Sequence, residues 1–166
     1  SEFLDVLVNE SERVSRLINQ VLDLEKIQAL EDQQNYTEVD IKSIINDTEK
    51  TFGQQLQERQ IKYQFTSAVG SHLVLGDKDR LTQVLVNLWS NAIKFCDQEK
   101  GEIKIETQLT VNRLNIYFRN NGQSIPVEKR ETIFDRFTQI QDDERGKPQG
   151  SGLGLYICRP ILEQHQ

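Results

Sequence analysis

Four polar side chains recur along one predicted helix at a spacing that places them on a single face. They follow one another at intervals of 4, 4 and 3 residues and are Gln83, Asn87, Asn91 and Lys94. Two asparagines in mid-helix are poor helix formers, so local structure does not explain their presence. A carboxamide oxygen is a ligand for a hard cation, and an ammonium group beside it attracts phosphate oxygens. The face is therefore either a binding surface for a metal and a phosphate group or an ordinary solvated face.

Two glycine motifs follow later in the chain. The first spans residues 120–126 after a predicted strand. Gly122 there allows a backbone conformation barred to other residues, and so a tight turn against a ligand, and Asn120 can hydrogen-bond a flat heterocycle. The second precedes a helix and reads Gly150, Ser151, Gly152, Leu153, Gly154 and Leu155. Its uncovered backbone N–H groups and the helix dipole attract anions. The alternatives are an ordinary Asn-Gly turn and a flexible connection that binds nothing.

Alternating strands and helices are predicted to position these motifs. Asp40 can cap one helix and Asp77 a second, which runs from about Lys78 to Phe95 and carries the polar face. The inner face of the first helix is predicted to be Ile41, Ile44, Ile45, Thr48, Phe52 and Leu56. Short strands are expected at 36–39, 61–65 and 73–75, and longer ones at 102–111 and 113–119. A short helical piece, a polar loop at 141–149 and a last helix follow.

Residues 1–30 have the pattern of one long amphipathic helix. Apolar residues from Phe3 to Leu24 follow a 3-4 spacing, and a helix reaching Leu30 would be about 42 Å long. Such a wide stripe favours a partner helix in a bundle or a dimer, although the helix can instead fold onto its own domain. The polar run at 31–35 is predicted to be a linker.

The composition indicates one folded domain. The chain has 166 residues, of which 36% are hydrophobic and 28% charged, and this excludes a disordered chain. The net charge of −6 gives no reason to expect nucleic acid or a membrane surface as a partner. No apolar run reaches the length of a membrane span. Cys96 and Cys158 form no metal-binding pattern, so we expect two reduced thiols in a cytoplasmic protein.

Taken together, the motifs resemble those of the sensor histidine kinases of two-component systems, in the GHKL ATP-binding superfamily. Residues 83–95 resemble the N-box, 120–126 the first glycine box, 133–137 the phenylalanine box and 150–155 the second glycine box. Residues 1–30 are similar to the second helix of the dimerisation and phosphotransfer domain. The resemblance implies an α+β sandwich, a mixed sheet on a helical layer, for residues 36–166. We expect a chain truncated at both ends, without the family's C-terminal strands.

The resemblance also implies a function and a set of site residues. Asn87 and Asn91 would be catalytic, and Asn91 would coordinate Mg²⁺. The ATP-binding residues would be Asn87, Asn91, Lys94, Phe95, Asn120, Gly122, Ile125, Phe137, Gly150, Ser151, Gly152, Leu153, Gly154 and Leu155, with residues 139–149 as a lid. In the parent protein, the ATP γ-phosphate would pass to a histidine and then to a response regulator. We expect a homodimer through the N-terminal helix, and no nucleic-acid or membrane contact by this region.

Three departures from the family pattern bear on these expectations. Asn120 stands where the family has an aspartate that accepts a hydrogen bond from adenine, and Ser124 replaces a glycine. His72 and His165 lack the flanking residues of a phosphoacceptor, so we expect no autophosphorylation by this chain alone. The alternative is a degenerate dimerisation or regulatory module with weak or no nucleotide binding. A GHKL ATPase is disfavoured because Asn87 occupies the position of the glutamate that activates water.

Overall fold

The structure, a computed structural model, describes residues 35–135, Thr138 and 154–165, together with Val8, Ser11, Val14 and Ile18. In chain order the elements are β1 (Thr37–Asp40), α1 (Ile41–Glu58), β2 (Lys62–Ser67), β3 (Leu73–Gly76), α2 (Lys78–Phe95), β4 (Glu102–Thr110), β5 (Arg113–Asn120) and α3 (Gly154–Gln164). Two 3₁₀ turns, Val127–Lys129 and Thr132–Phe134, lie between β5 and α3. This succession agrees with the predicted strands and helices.

The strands form two small sheets. β1 and β3 pair antiparallel, with Thr37 opposite Gly76. The larger sheet has the order β2-β4-β5, in which β2 and β4 are parallel and β4 and β5 antiparallel. A parallel pair needs a crossover connection, and here β3 and α2 supply it. The mixed sheet with helices confirms the predicted α+β class.

Helices α1 and α2 begin at the predicted aspartate caps and pack on the larger sheet. The Asp40 carboxylate accepts a hydrogen bond from the Lys42 N–H, and Asp77 accepts from the N–H groups of Asp79 and Arg80. Each cap satisfies backbone donors that a helix leaves unpaired. The buried face of α1 is the predicted one, namely Ile41, Ile44, Ile45, Thr48, Phe52 and Leu56.

Trp89 lies at the centre of the core. Its side chain is fully buried, and its indole N–H donates to the Thr48 hydroxyl over 3.1 Å. The Phe118 ring meets it edge-on, with the ring centroids 5.3 Å apart. Trp89 therefore joins α1, α2 and β5 in one packing unit, and the hydrogen bond satisfies the only polar group that this large side chain buries.

Helix α3 runs antiparallel to α2. Its first residue lies beside Asn87, and the residue after its end lies beside Asp77. Val84 of α2 packs with Ile157, Cys158 and Ile161 of α3 in a second apolar cluster. Near the C-terminal end, the Asp77 N–H donates to Nε2 of His165 over 2.9 Å, and Nδ1 donates to the Ile161 carbonyl. The Tyr36 hydroxyl donates to the Gln164 carbonyl beside it.

His72 also has hydrogen-bond partners inside the fold. Its buried Nε2 lies 3.0 Å from the hydroxyl oxygens of both Ser67 and Thr107. It therefore ties the end of β2 and the interior of β4 to the segment before β3. Both histidines of this chain thus hold parts of the fold together.

The N-terminal region is described at four positions. Val8, Ser11, Val14 and Ile18 are helical, and the three apolar side chains among them are 56%, 48% and 54% exposed. The rest of the predicted helix and residues 31–34 of the predicted linker lie outside the described residues. Among the helices that the structure describes, none is long and apolar enough to cross a bilayer.

Candidate functional site

The polar face of α2 carries three of the predicted site residues. Asn87, Asn91 and Lys94 are all half-buried on this helix. Within the described part of the chain, no hydrogen bond engages the Asn91 carboxamide, so its oxygen has free lone pairs. Partial burial lowers the pKa of Lys94, and its ammonium group lies 4.6 Å from the centroid of the Phe95 ring. Asn91 thus offers a free acceptor on this face, and Lys94 offers a partly desolvated cation.

Asn87 connects this face to the second glycine motif. Its Nδ2 donates to the carbonyl of Gly154 over 3.2 Å, although the two residues are far apart in sequence. Gly154 is the first residue of α3. The N-terminus of α3, with its unpaired N–H groups and positive dipole end, therefore lies beside the polar face of α2.

Cys158 completes the contact between α2 and α3. Its Sγ lies 3.8 Å from Nδ2 of Asn87 and 3.2 Å from the Gly154 carbonyl oxygen. Burial raises the pKa of the Cys158 thiol to about 11, against the lowering effect of the hydrogen bond from Asn87. The thiol is therefore protonated at neutral pH and donates to the Gly154 carbonyl.

The first glycine motif is held against the sheet by Asn121. Its Oδ1 accepts from the Glu102 N–H over 2.8 Å, and its Nδ2 donates to the Lys100 carbonyl over 2.6 Å. This residue was not among the predicted site residues, and its hydrogen bonds fix the turn that follows β5. Asn120 ends β5 and is exposed. By strand alternation it shares a face with Phe118, which packs toward the helices.

Gly122 is required for a different reason from the one predicted. We expected a backbone conformation that other residues avoid, but its φ lies outside the left-handed region. Instead, a Cβ at this position would collide with the carbonyl of Phe95 and lie 2.8 Å from Cα of Cys96. The glycine lets the first glycine motif lie directly against the C-terminal end of α2.

Gly154 has room for a side chain. A Cβ there would lie 3.6 Å from Oδ1 of Asn87, an ordinary van der Waals distance, and its φ is also outside the left-handed region. The described fold therefore does not itself demand glycine at the start of α3.

An open cleft of about 490 Å³ lies beside the first glycine motif. It is lined by Cys96, Asp97, Gln98, Glu99, Asn121, Gly122 and Gln123. These residues come from the segment after α2 and from the turn after β5. Asn120, the residue predicted to contact the base, is not among the lining residues.

The remaining predicted site residues divide into two groups. Phe95 and Leu155 are half-buried at the end of α2 and the start of α3, and Ile125 is 37% exposed after the first glycine motif. The others lie outside the described residues: Phe137, Gly150, Ser151, Gly152, Leu153 and the predicted lid at 139–149. Of the predicted phenylalanine box, Phe134 is described, with the Arg159 guanidinium 4.7 Å from its ring centroid.

Comparison with protein families decides the family. The family described as "Histidine kinase-, DNA gyrase B-, and HSP90-like ATPase" matches residues 76–166, more than half of the chain. The chain belongs to this family. The matched region contains α2, the first glycine motif and the whole of α3, so every predicted site residue falls inside it.

Individual relatives within this family are sensor kinases. The sensor protein kinase WalK of Staphylococcus aureus is 32% identical over 174 residues, covering 99% of this chain and 39% of that protein. The catalytic domain of histidine kinase ThkA superposes with a TM-score of 0.69 at 32% identity, over 79% of this chain and 82% of that domain. The structure of ThkA in complex with the response regulator protein TrrA superposes with a TM-score of 0.72 at 26% identity. The match covers 92% of this chain and 42% of that chain. The resemblance to sensor histidine kinases is thereby confirmed.

This chain covers a minority of the curated relatives' length. It spans 39% of one WalK sequence and 27% of others from the same species. The similarity extends over nearly all of this chain, including the N-terminal segment before the family match.

Proposed function

We propose that this chain is the ATP-binding catalytic region of a sensor histidine kinase. In the parent protein, the γ-phosphate of ATP passes to a histidine and from there to an aspartate of a response regulator. The observation that carries the proposal is the hydrogen bond between Asn87 and the Gly154 carbonyl. It places the N-terminus of α3 beside the polar face of α2, which is the arrangement that a bound phosphate chain needs.

The residues present fit a nucleotide with a bound Mg²⁺. Mg²⁺ is usually held by one or two protein oxygens together with substrate phosphates and water. The free Asn91 carboxamide meets this requirement, and the described residues contain no cluster of three or more His, Cys, Asp or Glu that would form a closed metal site. Bound Mg²⁺ would neutralise phosphate charge. Lys94, already partly desolvated, would add a second positive charge at the phosphates.

The base is proposed to lie between the end of α2 and the first glycine motif. Phe95 and Ile125 would provide its apolar walls. Asn120 would accept a hydrogen bond from the adenine amino group through its carbonyl oxygen, and its exposed position leaves it accessible. A neutral acceptor is weaker than a carboxylate, so we expect lower affinity and lower selectivity for ATP over GTP than with aspartate.

Asn87 favours transfer over hydrolysis. A carboxamide does not accept a proton from water as a glutamate does, so the site lacks a general base at this turn of α2. The γ-phosphate would then be kept for an acceptor brought by another segment. Asn87 instead would hold the start of α3 in place and turn its own oxygen toward the phosphates.

The wider assignments follow from the same proposal. Residues 1–30 would be the second helix of a dimerisation and phosphotransfer domain, 31–35 a linker and 36–166 the catalytic domain. The exposed apolar side chains of Val8, Val14 and Ile18 support a homodimer through this helix. The ThkA structure with TrrA supports a response regulator as the partner. The parent would act in the cytoplasm, and this chain alone would not phosphorylate itself.

Calorimetric titration tests the proposal directly. ATP and ADP are titrated into the 166-residue chain with Mg²⁺ and with EDTA. Saturable binding that weakens in EDTA is expected, and Asn91→Ala should abolish the difference between the two conditions. Asn115→Ala is the matched control, because strand alternation places its carboxamide on the opposite face of the sheet from Ile116. Equal binding by all three proteins in both conditions would contradict the assignment of Asn91.

A degenerate regulatory module is the second candidate. It is favoured by the uncharged Asn120 at the base contact and by Ser124 in the first glycine motif. Binding of ATP by Asn120→Asp but not by the wild-type chain would select this candidate.

A further inference from the structure

Helix α3 packs on the fold through a small apolar cluster of its own. Its buried side chains lie against Val84 of α2, in a cluster separate from the main core around Trp89. It also contacts the second 3₁₀ turn through Arg159, whose guanidinium lies over the Phe134 ring. The helix has 11 residues, and Pro160 inside it has no N–H to donate to the preceding turn. A helix this short is marginal in isolation, so α3 depends on its docking to stay helical.

The C-terminal end of α3 is held by the residue that follows it, His165. Its Nε2 accepts a hydrogen bond from the Asp77 N–H over 2.9 Å, and its ring centroid lies 4.9 Å from that of Tyr36. The Tyr36 hydroxyl donates to the carbonyl of Gln164, the last residue of the helix. Asp77 and Tyr36 therefore both lose a hydrogen bond when α3 leaves α2.

Two distant parts of the molecule meet α3 at its opposite ends. Tyr36 lies one residue before β1, where the chain enters the sheet from the predicted linker. Gly154 begins α3 and lies beside Asn87 in the proposed nucleotide site. An opening that separates α3 from α2 breaks the contacts at both ends together. A ligand that binds only when α3 is docked therefore suppresses this opening at the Tyr36 end as well.

We propose that α3 docks and undocks as one unit, and that its docking couples the entry of the chain at Tyr36 to the proposed nucleotide site. The two states are α3 packed on α2 and α3 detached from it, with the main core packed in both. Docking as a unit follows from the contacts of α3 alone. The coupling rests on the proposed function and deepens it, because phosphates at the start of α3 would favour the docked state.

Hydrogen exchange of the 166-residue chain without nucleotide tests the docking unit. The Asp77 amide, bonded to His165, reports on the C-terminal end of α3, and the amide of the fully buried Ile161 reports on the helix itself. The Trp89 indole N–H, bonded to Thr48, reports on the main core. We expect equal opening constants for the two amides and a lower one for the indole. One opening constant shared by all three groups would overturn the proposal.

Ile45→Val separates the main core from the docking unit. Ile45 lies on α1, is fully buried and belongs to the main core. Loss of one methylene there should raise the opening constant of the Trp89 indole about two- to tenfold. The opening constants of the Asp77 and Ile161 amides should stay the same, because the main core remains packed when α3 detaches. An equal rise at all three groups would show that α3 opens only with the core, and the proposal would be wrong.

Tyr36→Phe tests the contact at the C-terminal end of α3. It removes the hydroxyl that donates to Gln164 and retains the ring beside His165. We expect the opening constants of the Asp77 and Ile161 amides to rise about fivefold, the loss typical of one hydrogen bond. Unchanged opening constants at these amides would mean that Tyr36 does not hold α3, and would overturn the proposal.

Tyr63→Phe is the matched control for this variant. It also removes a tyrosine hydroxyl, but Tyr63 packs against the main core, and its buried hydroxyl has no hydrogen-bond partner within the residues that the structure describes. The opening constants of the Asp77 and Ile161 amides should therefore stay at their wild-type values. A fivefold rise in Tyr63→Phe as well would contradict a specific contact between Tyr36 and α3.

Nucleotide tests the coupling. ATP with Mg²⁺, at a free concentration about 100 times its dissociation constant, should lower the opening constants of the Asp77 and Ile161 amides about 100-fold. If the chain binds ATP and these opening constants do not change, the coupling is wrong. If the wild-type chain binds no nucleotide, the proposed function fails instead, and exchange without nucleotide still decides whether α3 docks as a unit held by Tyr36.

Discussion

Replacing Gly122 with alanine is expected to force the first glycine motif away from the end of α2. The added Cβ would collide with the Phe95 carbonyl and lie 2.8 Å from Cα of Cys96. Both neighbours are backbone atoms, so rotation of a side chain cannot relieve the collision. Cys96 is also fully buried, which leaves its backbone little room to move. The hydrogen bonds of Asn121 to Lys100 and Glu102 hold the turn from the other side. Relief therefore requires a shift of the backbone.

Overpacking of this kind costs about 1–3 kcal/mol of folding free energy. For a domain of this size, that corresponds to a fall in melting temperature of about 2–12 °C. Thermal and urea unfolding of the 166-residue chain, followed by circular dichroism, would measure both quantities. Nucleotide affinity should also fall, since the displaced turn carries Asn120.

Gly53→Ala is the internal control, because it makes the same chemical change in open space. Gly53 lies within α1 and has nothing within 4 Å of the position of an added Cβ. Alanine there should stabilise the chain by about 0.5–1 kcal/mol through its higher helix propensity. Equal unfolding midpoints for Gly122→Ala and the wild type would refute the argument that Gly122 is required by close approach to α2.

Three further predictions concern single residues of the site. Asn120→Asp should raise ATP affinity by about 1–2 kcal/mol, roughly tenfold, and raise the preference for ATP over GTP; calorimetry showing neither change would contradict a base contact at this position. Gly154→Ala should leave the melting temperature unchanged or higher, because a Cβ there lies 3.6 Å from Asn87, yet weaken nucleotide binding if phosphates approach the start of α3; unchanged affinity would place the phosphates elsewhere. Burial raises the pKa of Cys158 from 9.0 to about 11, so the folded chain binds this proton more tightly than the unfolded chain. The associated stability is present below about pH 9 and is lost as the pH rises toward 11. The urea midpoint should therefore fall further between about pH 8 and about pH 10.5 in the wild type than in Cys158→Ala. An equal fall in both proteins would refute the contribution of the Cys158 thiol to this pH dependence.

Much of the fold was predictable because its signals are local. An aspartate before an amphipathic run indicates where a helix begins. Asp40 caps α1 and Asp77 caps α2, as predicted. The burial of Trp89 was not predicted, since it depends on Thr48 and Phe118, which reach it from other elements. Its own helix pattern does not specify that a tryptophan occupies the centre of the core.

The candidate site shows the same division between local and long-range information. Residue types and spacing singled out Asn87, Asn91 and Lys94, because a polar stripe on a helix is visible in the sequence. The pairing of Asn87 with Gly154 has no local signal, because it arises only when α3 packs on α2. The role of Asn121 was missed because an Asn-Gly pair has the same appearance in any turn.

The parallel pairing of β2 and β4 has a kinetic consequence. Lys62 pairs with Glu102 only after the intervening β3 and α2 have been brought into place, whereas β4 and β5 are joined by a short turn and can pair early. Asn120 ends the early hairpin, while Asn87 and Asn91 lie on the crossover helix. These halves of the proposed nucleotide site therefore meet only when the sheet closes late in folding. A ligand that needs both halves binds the native state alone, so it should slow unfolding without accelerating folding.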